Sequence, residues 1–115
     1  MQIQHYLKQF KDHWQSGGGF TALNFLVRQL FGGKRPVDIR INGIDLTVRS
    51  RTPDINVALD CLYFGEFDGV AGLAAGSATI IDAGGYIGAA AIAMARACPD
   101  AQIVSLEPSS ENYEI

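Results

Sequence analysis

The sequence has no excess of positive charge and few residues of the kinds that bind metals or cross-link chains. Lys and Arg number 9 against 12 Asp and Glu among 115 residues, so there is no broad positive field to attract nucleic acid or anionic lipid. The two cysteines, Cys61 and Cys98, lie far apart and fit no metal spacing. The two histidines, His5 and His13, are too far apart to form an i, i+4 metal pair. We therefore expect neither a nucleic-acid partner nor a metal site.

The sequence also lacks a secretory signal and a convincing membrane span. Residues 1–14 mix Gln, His, Lys and Asp with apolar residues, which is unlike a signal peptide and favours a cytoplasmic location. Residues 70–95 contain one charge, Asp82, and the Gly84-x-x-x-Gly88 spacing of packed transmembrane helices. However, Ala and Gly dominate this stretch, and an Asp at its middle would cost about 2.5–3.5 kcal/mol on insertion. We expect no membrane partner.

The first part of the chain, residues 1–49, predicts two helices and a β-hairpin. Apolar residues recur at helical spacing from Ile3 to Trp14, and again over residues 23–31, with glycines after each stretch. Residues 37–41 and 44–48 alternate apolar with polar side chains around Asn42-Gly43. That dipeptide readily adopts the positive φ angles of a type I′ turn, which predicts a hairpin.

The second part, residues 50–115, predicts an α/β unit. A turn at residues 51–54 starts a short helix that Gly65 breaks, and the pattern of residues 65–76 leaves their conformation open. A strand at Thr79-Ile80-Ile81, of the fully buried type, is followed by an Ala-rich helix over residues 87–97 and a second strand over residues 102–106. Short connections in the order strand, helix, strand predict a right-handed βαβ unit with a parallel sheet.

The strand-to-helix turn of this unit is a candidate nucleoside site. Ligands of parallel sheets lie beyond the carboxyl ends of the strands, where glycines let a ligand approach the main chain. Gly84 and Gly88 stand at that place, and Glu107 ends the next strand nineteen residues past Gly88. A carboxylate there can accept hydrogen bonds from both hydroxyls of a ribose. The alternative is a tight turn that holds no ligand.

The details of the turn favour S-adenosylmethionine over a dinucleotide. Dinucleotide sites use glycine at three positions, Gly-x-Gly-x-x-Gly, and here Ala83 replaces the first. The negative charge of Asp82 suits the cationic amino group of S-adenosylmethionine better than a pyrophosphate. Two alternatives stay open, an NAD(P)-binding oxidoreductase fragment and a non-enzymatic structural fragment.

The segments IIDAGGYIG at residues 80–88 and IVSLEPSSENYE at residues 103–114 resemble the FkbM-type methyltransferases. The sequences RTPD at residues 51–54 and GEFD at residues 65–68 are similar to the lead-in of that family. The resemblance covers about residues 50–115 and implies the first half of a Rossmann-like class I methyltransferase sheet. It also implies O-methylation of a small-molecule or sugar acceptor, whereas residues 1–49 match only the variable N-terminal region of the family.

The resemblance implies a set of cofactor-binding residues but no catalytic one. Tyr86 departs from the family pattern, which usually has Asn in a Gly-Ala-Asn-x-Gly turn, so that a bulky phenol either stacks on the ligand or fills its space. The resemblance implies that Asp82 and Gly84 line the methionine end of the cofactor and that Gly85 and Tyr86 form the turn above it. It further implies that Glu107 binds the ribose and that Ser109 lies near the adenine side.

The pattern contains fewer strands than such a sheet requires, and residues 109–111 predict the start of a further helix close to Ile115. We expect the chain to be a truncated fragment that lacks the acceptor-binding wall and is inactive alone, since methyl transfer depends on positioning and desolvation. A fragment of this kind exposes apolar strand edges, which predicts a homo-oligomer through those edges.

Overall fold

The computed structural model describes residues 2–115, apart from the side chains of residues 2 and 71. The described residues form two units by their internal contacts, unit 1 over Met1–Leu59 and unit 2 over Asp60–Ile115. The elements in chain order are α1 (Gln2–Gly17), α2 (Gly19–Phe31), β1 (Pro36–Ile41), β2 (Ile44–Arg49), α3 (Asp54–Leu62), α4 (Asp68–Ala74), β3 (Thr79–Ala83), α5 (Ala89–Ala97), β4 (Gln102–Leu106) and α6 (Ser110–Tyr113).

Unit 1 contains the predicted helices and hairpin. Strands β1 and β2 pair antiparallel from Pro36 opposite Arg49 to Ile41 opposite Ile44. Asn42 and Gly43 have φ angles of 48° and 79°, as a type I′ turn requires. Helices α1 and α2 pack against each other and against β1. Both helices and the hairpin are therefore confirmed, and the core between them contains the buried apolar side chains of Ala22, Phe25, Val37, Ile39, Ile41 and Val48.

Helix α1 buries its polar face. Four polar residues at helical spacing are buried, namely Gln9, Asp12, His13 and Ser16. Three large apolar residues on the other side are more than half exposed, namely Ile3, Leu7 and Trp14. This is the reverse of the usual core-facing helix, in which the apolar stripe is buried.

The turn between β2 and α3 is held by a buried ion pair. Asp54, which is fully buried, accepts hydrogen bonds from the backbone N–H of Arg49 at 2.9 Å and from its Nε at 2.8 Å. The Oγ1 of Thr52 donates to the carbonyl of Arg49 at 2.8 Å and accepts the N–H of Asp54 at 3.2 Å. The predicted turn at residues 51–54 is confirmed, and α3 begins at Asp54 because its carboxylate is fixed there.

Unit 2 is a strand, helix, strand arrangement with a parallel sheet, as predicted. Strands β3 and β4 pair parallel from Thr79 beside Gln102 to Ala83 beside Leu106, and α5 contacts both strands. Helix α5 begins at Ala89, two residues later than predicted, because Gly88 has a φ of 82° and cannot be helical. Residues 65–76, which the sequence left open, contain α4. The α/β class is therefore confirmed.

The expected full burial of β3 is wrong. Side chains alternate between the two faces of a strand, and on one face Ile80 and its neighbour Ile103 are partly buried. On the opposite face Ile81 is 66% exposed and Leu106 is 54% exposed. A two-stranded sheet with one helix packed on it can bury only one of its faces.

Candidate functional site

The turn between β3 and α5 has an unusual backbone. Gly84, Tyr86 and Gly88 all have positive φ angles, of 89°, 52° and 82°. The N–H groups of Gly84 and Gly85 both donate to the carbonyl of Leu106, at 2.8 and 2.9 Å, and the N–H of Gly88 donates to the carbonyl of Gly85 at 2.8 Å. The turn is thereby fixed against the carboxyl end of β4. A side chain at Gly84 would meet no atom within 4 Å, so a ligand has room there.

Glu107 joins the turn to the chain that follows β4. Its Oε2 accepts the backbone N–H of Tyr86 at 2.7 Å, and its Oε1 accepts the N–H of Ser109 at 2.8 Å. The Nδ2 of Asn112 donates to Oε1 at the longer distance of 3.4 Å. The N–H donors of Ser109 and Tyr86 stabilise the carboxylate and hold the pKa of Glu107 below its usual range. Glu107 is therefore negatively charged at neutral pH.

Asp82 is oriented by a residue that the sequence did not single out. The Oγ of Ser105 donates to the Oδ2 of Asp82 at 2.9 Å, because the two residues are neighbours in the parallel register. Gly85 lies above this pair, and a side chain there would overlap the Ser105 hydroxyl. The only sequence signal for Ser105 is its place one residue before the end of β4, two residues before Glu107.

All six predicted cofactor residues lie at the carboxyl ends of β3 and β4. Three of them, Tyr86, Glu107 and Ser109, are joined directly by the hydrogen bonds of the Glu107 carboxylate. Gly84 and Gly85 are linked to them through the carbonyl of Leu106. Sequence reasoning missed three groups that shape the site, namely the carbonyl of Leu106, the hydroxyl of Ser105 and the side-chain amide of Asn112.

The N–H groups at the start of the turn are not available to a ligand. The N–H groups of Gly84, Gly85 and Tyr86 all donate within the chain, so they cannot surround a phosphate as the amides of a dinucleotide site do. Two carboxylates, those of Asp82 and Glu107, lie near the turn, one beside Ser105 and the other on the N–H of Tyr86. This arrangement suits a ligand with hydroxyl groups and a positive charge better than one with a pyrophosphate.

The other clefts of unit 2 bring together fewer polar and charged groups that could bind a ligand. A cleft of about 330 Å³ lies at the amino ends of β3 and β4, away from Glu107, and a cleft of about 260 Å³ is lined in part by Cys61, Asp68 and Arg96. Burial, helped by the nearby carboxylates, raises the pKa of Cys61 to about 11, so its thiol is protonated at neutral pH. Within residues 2–115, no three His, Cys, Asp or Glu side chains cluster as metal ligands.

None of the helices in the described part of the chain is both long and apolar enough to span a membrane. No protein-family model, curated protein or solved structure matches this chain. The resemblance at residues 80–88 and 103–114 therefore stays a prediction, and the geometry of the site is the basis for proposing a function.

Proposed function

We propose that unit 2 binds S-adenosylmethionine at the carboxyl ends of β3 and β4, and that the chain is part of a methyltransferase for an oxygen atom of a small molecule or sugar. The observation that carries the proposal is the 2.7 Å hydrogen bond from the N–H of Tyr86 to Glu107. It joins a glycine turn and a strand-end carboxylate into one site, and this is the pair of features that recognition of an adenosine requires.

Each group has a role in this proposal. The carboxylate of Glu107 accepts hydrogen bonds from the ribose hydroxyls. These replace the hydrogen bond from Asn112, which is weak because its length of 3.4 Å is near the limit for a hydrogen bond. Asp82, held by Ser105, attracts the cationic amino group of the methionine part. Gly84 leaves the space in which that part lies.

The exposed face of β3 and β4 supports a Rossmann-like arrangement for the whole sheet. Parallel sheets normally have both faces covered by helices. The exposed side chains of Ile81 and Leu106 are what such a face would present to a further helix.

Titration calorimetry on the chain with S-adenosylhomocysteine and with NAD tests the proposal. We expect binding of S-adenosylhomocysteine and none of NAD, because the turn amides are occupied. Glu107→Gln removes the charge and replaces one of the two acceptor oxygens by an NH2 donor, so the affinity should fall about 10-fold to 100-fold.

Glu111→Gln is the matched control, since Glu111 is an exposed acid on α6 of the same unit. Its affinity for S-adenosylhomocysteine should stay unchanged. Binding of NAD alone, or an equal loss of affinity in both variants, would reject the proposal.

A further inference from the structure

Helices α1 and α2 expose a set of large apolar side chains, which we call the α1–α2 outer face. The most exposed are Phe20 at 87%, Phe31 at 84% and Ile3 at 74%. The complete set is Ile3, Leu7 and Trp14 on α1 with Phe20, Leu23, Val27, Leu30 and Phe31 on α2. A site of this kind on unit 1 is independent of the cofactor site proposed for unit 2.

The helical period explains why these residues share a face. On α2 the buried residues Ala22, Phe25 and Gln29 follow the spacing i, i+3, i+7. Leu23, Val27 and Leu30 follow the spacing i, i+4, i+7 and are exposed, so they lie together on the opposite side of the helix. Exposed apolar patches larger than a few hundred Å² are uncommon on proteins that have no partner. The side chains of Trp14, Phe20 and Phe31, each with a surface of about 150–250 Å², are enough to make the outer face a patch of a few hundred Å².

The charges around this face are positive. Residues 2–35 contain five Lys and Arg and one acidic residue, Asp12, which is paired with Lys8 at 3.1 Å. Helix α2 carries a single charge, Arg28, and Lys34 and Arg35 follow soon after Phe31. Over residues 1–59 there are eight Lys and Arg against four Asp, whereas residues 60–115 contain one Arg against eight Asp and Glu. The net charge of −3 for the whole chain, from which we expected no attraction to anionic lipid, conceals this division.

We propose that the α1–α2 outer face docks on an anionic membrane surface. Apolar side chains that include Trp and Phe, next to Lys and Arg, are the composition of helices that lie in the headgroup region, and each cation near an anionic surface adds attraction. A second copy of the chain is the weaker occupant, because two faces with the same positive surroundings repel each other.

Trp14 is the only tryptophan in the chain and lies on the outer face, so its fluorescence reports docking directly. The full chain is mixed with vesicles of phosphatidylcholine alone, or of phosphatidylcholine with phosphatidylserine. We expect a shift of the emission to shorter wavelength, and co-flotation of the protein, only with phosphatidylserine. Both should decline as salt is added, because salt screens charge attraction.

Two double variants separate the apolar and the charged contributions. Phe20→Ser with Phe31→Ser changes side chains that are almost fully exposed, so the fold should persist, and vesicle affinity should fall at least about tenfold. Arg28→Gln with Arg35→Gln removes two cations worth about 1 kcal/mol each, which predicts a loss of about 30-fold. Leu73→Ser on α4, at a residue 89% exposed, is the control and should bind vesicles like the unaltered chain.

The proposal is overturned by any of three results. The first is equal binding to both vesicle types without salt dependence, and the second is no shift of the Trp14 emission with any vesicle. The third is a dimer in size-exclusion chromatography with Trp14 already shielded in the absence of vesicles, which would assign the face to a second copy.

Discussion

Unit 1 and unit 2 place their polar side chains in opposite ways. Among the described residues, every buried polar or charged side chain belongs to unit 1, and the set comprises Gln9, Asp12, His13, Ser16, Gln29, Arg49, Ser50 and Asp54. The buried side chains of unit 2 are apolar, as with Leu62 and Met94, and two of its carboxylates, those of Asp82 and Glu107, lie at the carboxyl ends of its strands. Unit 1 therefore buries polar groups within its own structure, whereas unit 2 keeps them outside its core.

The largest expected effect concerns the buried ion pair of unit 1. Asp54→Asn leaves the Arg49 guanidinium buried without its charge partner, which should lower the free energy of unfolding by about 3–5 kcal/mol. Asp45→Asn is the control, because its pair with Arg40 is exposed to solvent and should contribute little to the free energy of unfolding. Urea denaturation compares the two variants. Equal losses would show that burial of the pair does not decide its contribution.

The second prediction concerns pH and His13. Burial lowers its pKa from 6.5 to about 4, and neither ring nitrogen is in hydrogen-bond geometry with a partner, although the backbone of Arg40 acts to raise the pKa. Because the folded pKa lies below the unfolded one, the unfolded chain binds the proton more tightly. Stability should therefore be complete above about pH 6.5 and fall by about 3 kcal/mol as the pH drops to about 4.

Denaturation of His13→Phe against pH checks this, because the variant cannot bind the proton and should lose much of the dependence between pH 6.5 and pH 4. His5→Gln, at an exposed position on the same helix, should keep it. An unchanged pH profile in His13→Phe would show that groups other than His13 cause the pH dependence of stability.

The smallest effect is expected in the turn of unit 2. Tyr86 has a φ of 52°, and this left-handed conformation costs most residues about 1–2 kcal/mol, whereas Asn tolerates it. Tyr86→Asn should therefore stabilise the chain by up to about 1 kcal/mol while keeping the N–H that Glu107 accepts. Tyr86→Ala, which keeps the strained angle, should give no such gain. Thermal unfolding measures both variants. A gain in Tyr86→Asn alone would show relief of backbone strain, whereas an equal change in both variants would show that loss of packing by the phenol dominates.

Much of the fold follows from local sequence. Asn42-Gly43 predicts the hairpin, and the glycines at residues 84 and 88 mark where β3 ends and α5 begins, because both positions require backbone angles that few residues adopt. The position of the candidate site also follows from the sequence. Glu107 and the glycine turn could be placed at neighbouring strand ends because parallel strands bring their carboxyl ends to one edge.

The rest depends on packing that local patterns do not contain. Helical periodicity shows that α1 has a polar and an apolar face, but it does not tell which face meets the hairpin, so the burial of His13 could not be predicted. The contact between Ser105 and Asp82 requires the register of β3 against β4, which is set by residues 23 positions apart. The net charge of the whole chain likewise does not show that unit 1 is basic and unit 2 is acidic, because it is the sum of the two.

The hydroxyl of Ser105 occupies the space that a side chain at Gly85 would need. The two positions therefore share one small volume, although they are twenty residues apart in the chain. In homologous sequences we expect them to vary together, with Ala at the first accompanied by a residue without a hydroxyl at the second. Such a homologue would have to orient the carboxylate of Asp82 by another donor, so variation at this pair would mark a change in the orientation of that carboxylate.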